Sequence, residues 1–569
     1  MLYKTLAQLY EDLSSTTKRL EKIETLSKFL KVLKKEEAYI LYLLEGNIYP
    51  DYDERKIGIS NQLAIKALSK STGTPIKNIE KEWTKIGDLG EVAQKLTKTK
   101  TQTTLHSKAL TTKKVLDNLR KLPDLEGHGT VNRKVALITE LLTSATSIEA
   151  KYLTRTLLSD LRIGVQESTI KNSIVKAYFK DKEKAEPIVQ KAIDRSNDLA
   201  EVFEISKNKK LKEFEKIKLE IGKPIKAMLA QKAESIEQAF KALGKPMAVE
   251  YKYDGFRLLI HKKKDKVILF TRRLENVTKQ FPEVVEYVKT HIKGESFILD
   301  SEAVGFDKKT KQYTDFQAIS QRIRRKHNIE SLRKTLPVEV NVFDILFYNG
   351  KSQLEQPFHK RADLIRKIIK DHPYKLITSK KIITSDKKEI EKFYKEALKN
   401  RQEGVMLKNL NAEYKPGRRV GHMLKLKPDH RDFDLVITGA EWGTGKRSGW
   451  LSSYILSCKK GSEYIEIGKT STGLKEKKEQ GITYEQLTDL LKPLIISEKG
   501  KVVKVKPKII VAVTFQEIQK SPNYKAKLAL RFPRFIALRD KDKALSEITT
   551  LEEIEEEFKN QKKESYTYG

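Results

Sequence analysis

The chain has 569 residues, and at roughly 150 residues per domain that length predicts three or four domains. Lys and Arg number 113 against 77 Asp and Glu, a net charge of +36, and 38% of residues are hydrophobic, too many for a disordered chain. The single cysteine, Cys458, excludes a disulfide framework and a cysteine-built zinc site within the chain. A cytoplasmic or nucleoid-associated setting is expected, not a secreted one.

Glu11 and Asp12 come too early for the apolar core of a secretory leader. No run reaches the roughly 18 apolar residues of a spanning helix, so no membrane partner is expected. A basic excess of this size points to a polyanion, nucleic acid ahead of a membrane surface. The competing reading is a lysine-rich surface that serves only solvation.

Up to about Lys210 the period is helical. Val135, Leu137, Ile138, Leu141 and Leu142 share one face, as do Leu153, Leu157, Leu158 and Leu161, and the second run ends at Gly164. Ser168 is the expected N-cap of a further amphipathic helix carrying Ile170, Ile174, Val175 and Tyr178. The resulting αα-hairpin presents a helix N-terminus near Gln166–Thr169 whose amides can hold a phosphate. Gly164, Ser168 and Thr169 are therefore candidate phosphate contacts, although a plain turn between packed helices explains them equally.

The charged segment Asn208–Lys218 leads to Gly222-Lys223-Pro224, a linker-like boundary. Beyond it Met247–Lys252, Phe256–His261 and Lys266–Thr271 read as strands, and strands then alternate with helical stretches to Lys427. A second break falls at Pro428–Asp432. Leu435–Ala440, Ser453–Cys458, Tyr464–Gly468 and Ile509–Glu517 read as strands of a small β-barrel, and the acidic tail from Leu551 as a terminal helix. The expected organisation is a helical domain over 1–215, an α+β domain over 216–428 and a barrel over 429–569.

Chemistry concentrates in Glu250-Tyr251-Lys252-Tyr253-Asp254-Gly255-Phe256-Arg257. A lysine at a strand end can serve as a nucleophile, Gly255 permits close backbone approach, and Arg257 can point at a substrate oxygen. A strand, turn and strand with solvated charges is the plain alternative. Its company decides between them. Thr271-Arg272-Arg273, Leu299-Asp300-Ser301-Glu302, Val342-Phe343-Asp344, Glu403-Gly404-Val405-Met406-Leu407-Lys408, Tyr414-Lys415-Pro416-Gly417-Arg418-Arg419 and Leu424-Lys425-Leu426-Lys427 follow in order. Glu517–Tyr524 and Arg531-Phe532-Pro533-Arg534-Phe535 come near the end. With these motifs the chain resembles, over almost its whole length, the ATP-dependent DNA ligases of the archaeal and eukaryotic replicative type.

That resemblance implies an all-α N-terminal DNA-binding domain, an α+β nucleotidyltransferase (adenylation) domain and a C-terminal OB-fold β-barrel. It implies a ligase that seals nicks in duplex DNA through a lysyl-AMP enzyme and 5′-adenylylated DNA, in replication, repair and recombination. Lys252 is then the nucleophile toward the ATP α-phosphate, and Lys425 and Lys427 are nearby cations that favour its neutral form. Glu250 is implied to accept from the adenine amine and Phe343 to stack on the base. Arg257 and Arg272 are implied on the ribose and phosphate side, with Arg419 near the phosphates. Glu302 and Glu403 are implied ligands for Mg²⁺ or another divalent cation, with ribose or an outer-sphere role as the alternative for either. Lys408 and Arg418 read as DNA-backbone contacts or solvated charges, and Arg531 and Arg534 as DNA contacts.

The implied partner is nicked double-stranded DNA, bound by a monomer. A sliding-clamp contact is placed at Gln102 and Leu105, although His106 and Ser107 stand where clamp-binding peptides carry aromatics, and a linker with an incidental glutamine explains the segment at least as well. Three rivals are weighed. An RNA ligase or capping guanylyltransferase shares the lysine chemistry but not the long helical region or the Arg531–Phe535 segment. A NAD-dependent ligase needs a four-cysteine zinc module. A non-catalytic architectural DNA-binding protein has no need of Lys252, Glu302, Glu403, Lys425 and Lys427 together. Gly443-Thr444-Gly445-Lys446 imitates a P-loop, but Ala440 and Arg447 stand where that loop requires Gly and Ser or Thr.

Overall fold

The computed structural model describes residues 1–99, 109–314, 319, 322–323, 325, 327–418, 421–428, 432–444, 447–476, 482–539 and 543–564. They group into two compact units. One comprises Met1–Ser60, Lys108–Leu141 and Thr156–Pro428; the other comprises Asn61–Ser107, Leu142–Arg155 and Asp429–Gly569.

In the first unit the helix Glu167–Tyr178 buries Ile170, Ile174 and Val175 and packs on Arg19–Val32, which buries Ile23, Leu26 and Leu30. Two boundaries differ from the sequence reading. The helix Ser147–Leu157 stops before Leu161, because Ser159 and Arg162 take left-handed backbone, φ 53° and 58°, which ends a right-handed helix. The next helix is capped by Gln166 and not by Ser168. The Gln166 carbonyl already accepts the amides of Thr169 (2.8 Å) and Ile170 (3.2 Å), so the first turn closes two residues earlier.

The central strands are β1 (Gln231–Lys232), β2 (Met247–Lys252), β3 (Phe256–Lys263), β4 (Lys266–Thr271), β5 (Ser296–Gly305), β6 (Val338–Tyr348), β7 (Lys351–Ser352), β8 (Leu376–Thr378), β9 (Lys381–Thr384), β10 (Gly404–Asn409) and β11 (Met423–Leu426). They make two sheets, β1-β11-β10-β2-β9 and β4-β3-β5-β6-β7, with β8 added to β6. Period-two alternation gives each sheet two distinct faces. On the first sheet Val249, Tyr251, Val405, Leu407 and Leu424 join Ile236, Ala239, Ile390 and Phe393 of the helices Ile236–Leu243 and Lys387–Lys399 in one core. Its other face carries Glu250, Met406 and Lys425 side by side, with Lys252 beside Gly404.

The second sheet buries Leu258, Ile260, Leu299, Val340 and Val342 with Val284, Val288, Ile365 and Ile368 of the helices Pro282–His291 and Phe358–Ile368. Its opposite face contributes Leu259, Phe270 and Ile298 to a cluster shared with Tyr414, Met423 and, at its edge, Met406. That cluster holds the two sheets together with their polar residues facing one cleft. Leu219, Ile225 and Met228 belong to it too. The Gly222 amide also donates to His261 Nδ1 at 3.1 Å, so the segment around Gly222-Lys223-Pro224 is a packed strap.

The second unit contains β12 (Asp432–Trp442), β13 (Leu451–Lys460), β14 (Glu463–Thr470), β15 (Ile495–Lys499), β16 (Val502–Val505), β17 (Ile510–Thr514), β18 (Glu517–Lys520), β19 (Leu528–Arg531) and β20 (Arg534–Leu538). β12 is the pivot. One edge pairs with β13, while the other is shared between β17 along 432–436 and β16 along 439–441. Register shifts at Ile437/Gly439 and Glu441/Trp442 bend it, and the sheet curls into a half-barrel of OB type. Leu551 and Ile554 of the terminal helix Leu551–Glu564 complete its core. Lys543 pairs with Asp434 at the start of β12. No helix among the described residues is long and apolar enough to cross a membrane.

Candidate active site

Lys252 is the last residue of β2, and its carbonyl accepts the Glu403 amide at 2.9 Å. Its Nζ lies 2.7 Å from Glu403 Oε2. Opposite it, Gly404 has φ 138°, and a Cβ there would fall 2.2 Å from the Leu426 carbonyl oxygen. Only glycine lets β2, β10 and β11 come this close. Gly255 makes the expected close approach as well: an added Cβ would lie 2.3 Å from the Ala303 carbonyl oxygen of β5. The Asp254 amide donates to Gln402 Oε1 at 3.1 Å, so the turn after the lysine is tied to the strand that carries its partner.

Across the cleft Arg257 and Glu302 stand in register on β3 and β5. Arg257 is a fixed cation and not a mobile arm. Its Nε donates to Asp300 Oδ1 at 2.8 Å, Nη2 pairs with Asp300 Oδ2, and Nη1 donates to the Met228 carbonyl at 2.9 Å. The Tyr414 hydroxyl donates to Asp300 Oδ2 at 2.7 Å and accepts from Arg257 Nη2 at 3.1 Å. Glu302 is half-buried. Loss of solvent pushes its carboxyl up to about 8; Lys252 and Arg257 oppose this rise, while Glu403 and Asp300 reinforce it. Glu403 in contact with the ammonium and Glu302 within its electrostatic reach, short of positive charge, suit a hard divalent cation.

Toward β9 the cleft turns to base-sized chemistry. Glu250 is 1% exposed, with Oε2 2.6 Å from Lys408 Nζ and Oε1 without a hydrogen-bond partner. A buried acceptor left open in this way fits a ligand that brings a donor. Phe343 is half-buried, its ring centre 5.0 Å from Lys408 Nζ and 5.4 Å from the Arg257 guanidinium. Lys425 shares the cleft face with Glu250, and Lys427 lies two residues on. Arg272 is exposed just past the end of β4. Arg419, Gln102 and Leu105 lie outside the described residues.

Several sequence expectations are corrected. Lys408 is neither solvated nor a DNA contact; it is 4% exposed and buried against Glu250. Arg418 donates to Asp194 Oδ2 at 2.8 Å. Thr169 is buried and its amide is spent on Gln166, which removes it as a phosphate donor, whereas Gly164 and Ser168 stay exposed. Two further expected residues are located without being overturned: Arg531 donates from Nη1 to Glu517 Oε1 at 2.6 Å, and Arg534 on β20 is exposed.

The sequence reading assigned no role to Asp300, Tyr414 or Lys381, nor to the buried pair Arg361–Asp344 (2.7 Å). Strand alternation carries a signal for one of them: Asp300 is two residues before Glu302 and must share its face.

Residues 2–175 match the family description DNA ligase N terminus. Residues 227–427 match the ATP dependent DNA ligase domain, and 447–543 the ATP dependent DNA ligase C terminal region. A DNA ligase of Nanoarchaeum equitans (strain Kin4-M) is 43% identical over 566 residues, covering 99% of each chain. One of Thermococcus fumicolans is 38% identical over 561 residues, covering 98% of each. The solved structure named Pmar-Lig_PreS3 shares the fold at a TM-score of 0.56 with 17% identity, covering 94% of this chain and 99% of its own. Three successive domain matches and full-length relatives make this chain a member of the ATP-dependent DNA ligase family.

Proposed function

We infer that the protein seals nicks in duplex DNA and that adenylate transfer takes place at Lys252. The observation that carries this is a lysine ammonium 2.7 Å from a carboxylate, on the same strand face as a buried glutamate whose second oxygen has no partner. Neutral Lys252 Nζ attacks the α-phosphorus of ATP, the bond to pyrophosphate breaks, and a phosphoramidate to AMP forms. A 5′-phosphate oxygen at the nick then takes the adenylate, and Lys252 leaves with a proton. The neighbouring 3′-hydroxyl attacks that phosphate, AMP departs, and the phosphodiester is closed.

Glu403 holds the Lys252 ammonium, and Lys425, Lys427 and Arg419 offset phosphate charge. Glu250 accepts from the base amine, Phe343 supplies its stacking face, and Arg257 and Arg272 serve the sugar and phosphate side. Glu302 and Glu403 would hold Mg²⁺ or another divalent cation, which supplies charge to the phosphate oxygens.

The domain division at 215/216 and 428/429, with Gly164, Ser168, Arg531 and Arg534 on the DNA backbone, belongs to the same reading. Sequence-independent phosphate contacts suit the net charge of +36. The cytoplasm or nucleoid is the matching setting, and a clamp contact at Gln102 and Leu105 remains part of the proposal. Incubation with α-labelled ATP and Mg²⁺ tests the first step: wild type takes up covalent label and Lys252→Ala does not. Label retained in Lys252→Ala removes Lys252 as the nucleophile. Sealing of a nicked DNA duplex, compared with nicked RNA, then tests the substrate.

A further inference from the structure

Lys408 touches both candidate base contacts at once. Its Nζ sits 2.6 Å from Glu250 Oε2 and 3.5 Å from the Phe343 carbonyl oxygen. It also lies 5.0 Å and 4.5 Å from the ring centres of Phe343 and Phe358. The side chain is 5% exposed and that of Glu250 2%, so the two charges meet almost without water. Lys381 Nζ is the other cation near Glu250, 3.8 Å from Oε1 and beyond hydrogen-bond reach. Burial lowers its affinity for a proton below the usual lysine range; Glu250 opposes this, and Lys408 and Arg366 add to it. Lys408 is therefore the main counter-charge of Glu250, and by occupying Oε2 it leaves Oε1 as the open acceptor.

An ionised carboxylate accepts hydrogen bonds and donates none. A 6-aminopurine offers a donor at that edge, whereas a 6-oxopurine offers a carbonyl, which an oxygen held as an acceptor repels. We propose that Lys408 is a positioning residue that sets the choice of donor nucleotide, by holding Glu250 as an acceptor aimed at the base and by bracing the Phe343 segment. This rests on the reading that Glu250 meets the base edge. Without the Lys408 ammonium, Oε2 loses its partner, and the side chain is no longer held with Oε1 aimed at the base.

The test uses the full-length protein and measures self-adenylylation and self-inosinylation with α-labelled ATP and ITP, nucleotides that differ at purine position 6. Wild type should prefer ATP by about a hundredfold or more. Lys408→Met should narrow that preference by about tenfold, mainly by raising the KM for ATP, while Lys408→Arg should restore it. Glu250→Gln is run in parallel. A narrowed preference in Glu250→Gln with an unchanged one in Lys408→Met overturns the role of Lys408 alone. An unchanged preference in Glu250→Gln overturns the base-edge reading itself, and with it the proposal. Nicked-duplex binding and melting temperature confirm that each variant folds. Should Lys408→Met not fold, Lys408→Gln replaces it with the same two outcomes.

Discussion

The nucleotide cleft and the curled C-terminal sheet use positive charge in opposite ways. In the cleft Lys408, Arg257 and Lys252 each have a carboxylate within 2.8 Å, and the first two are largely withdrawn from water. On the C-terminal sheet Arg534 stands exposed on β20, and Phe532 beside it is 70% exposed. A buried charge is tolerated only where a partner offsets its lost hydration, so cleft residues are fixed by one another. An exposed arginine keeps its water and stays available to a phosphate. The difference separates charges fixed by a buried partner from charges left to solvent.

That contrast can be broken most sharply at Lys252. Lys252→Ala should reduce covalent labelling from ATP to background while nicked-duplex affinity stays within about threefold, because phosphate contacts are spread over the chain. Arg534→Ala should label like wild type. A labelling defect in Arg534→Ala would put the C-terminal sheet into the first chemical step.

Stability should separate the regions next. Arg257→Met leaves Asp300 buried without its cation and should cost about 3–5 kcal/mol in denaturant unfolding. Arg534→Ala should change stability by less than about 0.5 kcal/mol. Equal losses in the two variants would erase the distinction drawn here.

A third measurement sharpens the surface side. Arg534→Ala should weaken nicked-duplex binding and lower the salt slope of log K by about one, uniformly across sequences. An unchanged slope would remove Arg534 from the DNA contacts.

A last measurement asks whether the cost of buried charge extends beyond the cleft, to Glu45. Burial pushes its carboxyl up to about 8, Asp51 adding to the rise and Lys226 opposing it. The folded chain then holds a proton that the unfolded chain, with a glutamate pKa near about 4.3, has released. Stability should therefore fall as pH rises from about 4.3 toward 8, by up to ~1.4 kcal/mol per pH unit. Glu45→Gln should flatten that slope in urea midpoints measured at successive pH values. An unaltered slope would assign the pH dependence to other groups.

Local pattern was enough for much of the architecture. The run Leu435–Ala440 lies inside β12, Met247–Lys252 is β2 to the residue, and the tail from Leu551 is a helix. Alternation and helical period report which side of an element is apolar, and that side is buried wherever the element ends up. The family resemblance, and not spacing, implied that Lys252, Glu250, Glu302 and Phe343 serve one site. Helix ends were less legible. Ser168 has the chemistry of a cap, yet Gln166 takes the position because its carbonyl accepts two amides of the following turn.

The order of elements, the strand that ends at Lys252 and the net charge of +36 are legible from residue type and short-range spacing. Tertiary structure alone decided which charges are spent. Lys408 reads as a surface cation and Arg257 as a substrate-facing one in the sequence, but their partners come from other strands, Glu250 of β2 and Asp300 of β5. Arg418 is bound to Asp194 of the helical region in the same way. Such pairings depend on cross-strand register and on which sheet faces meet. Those are set by the packing of whole apolar faces and not by any residue's neighbours along the chain.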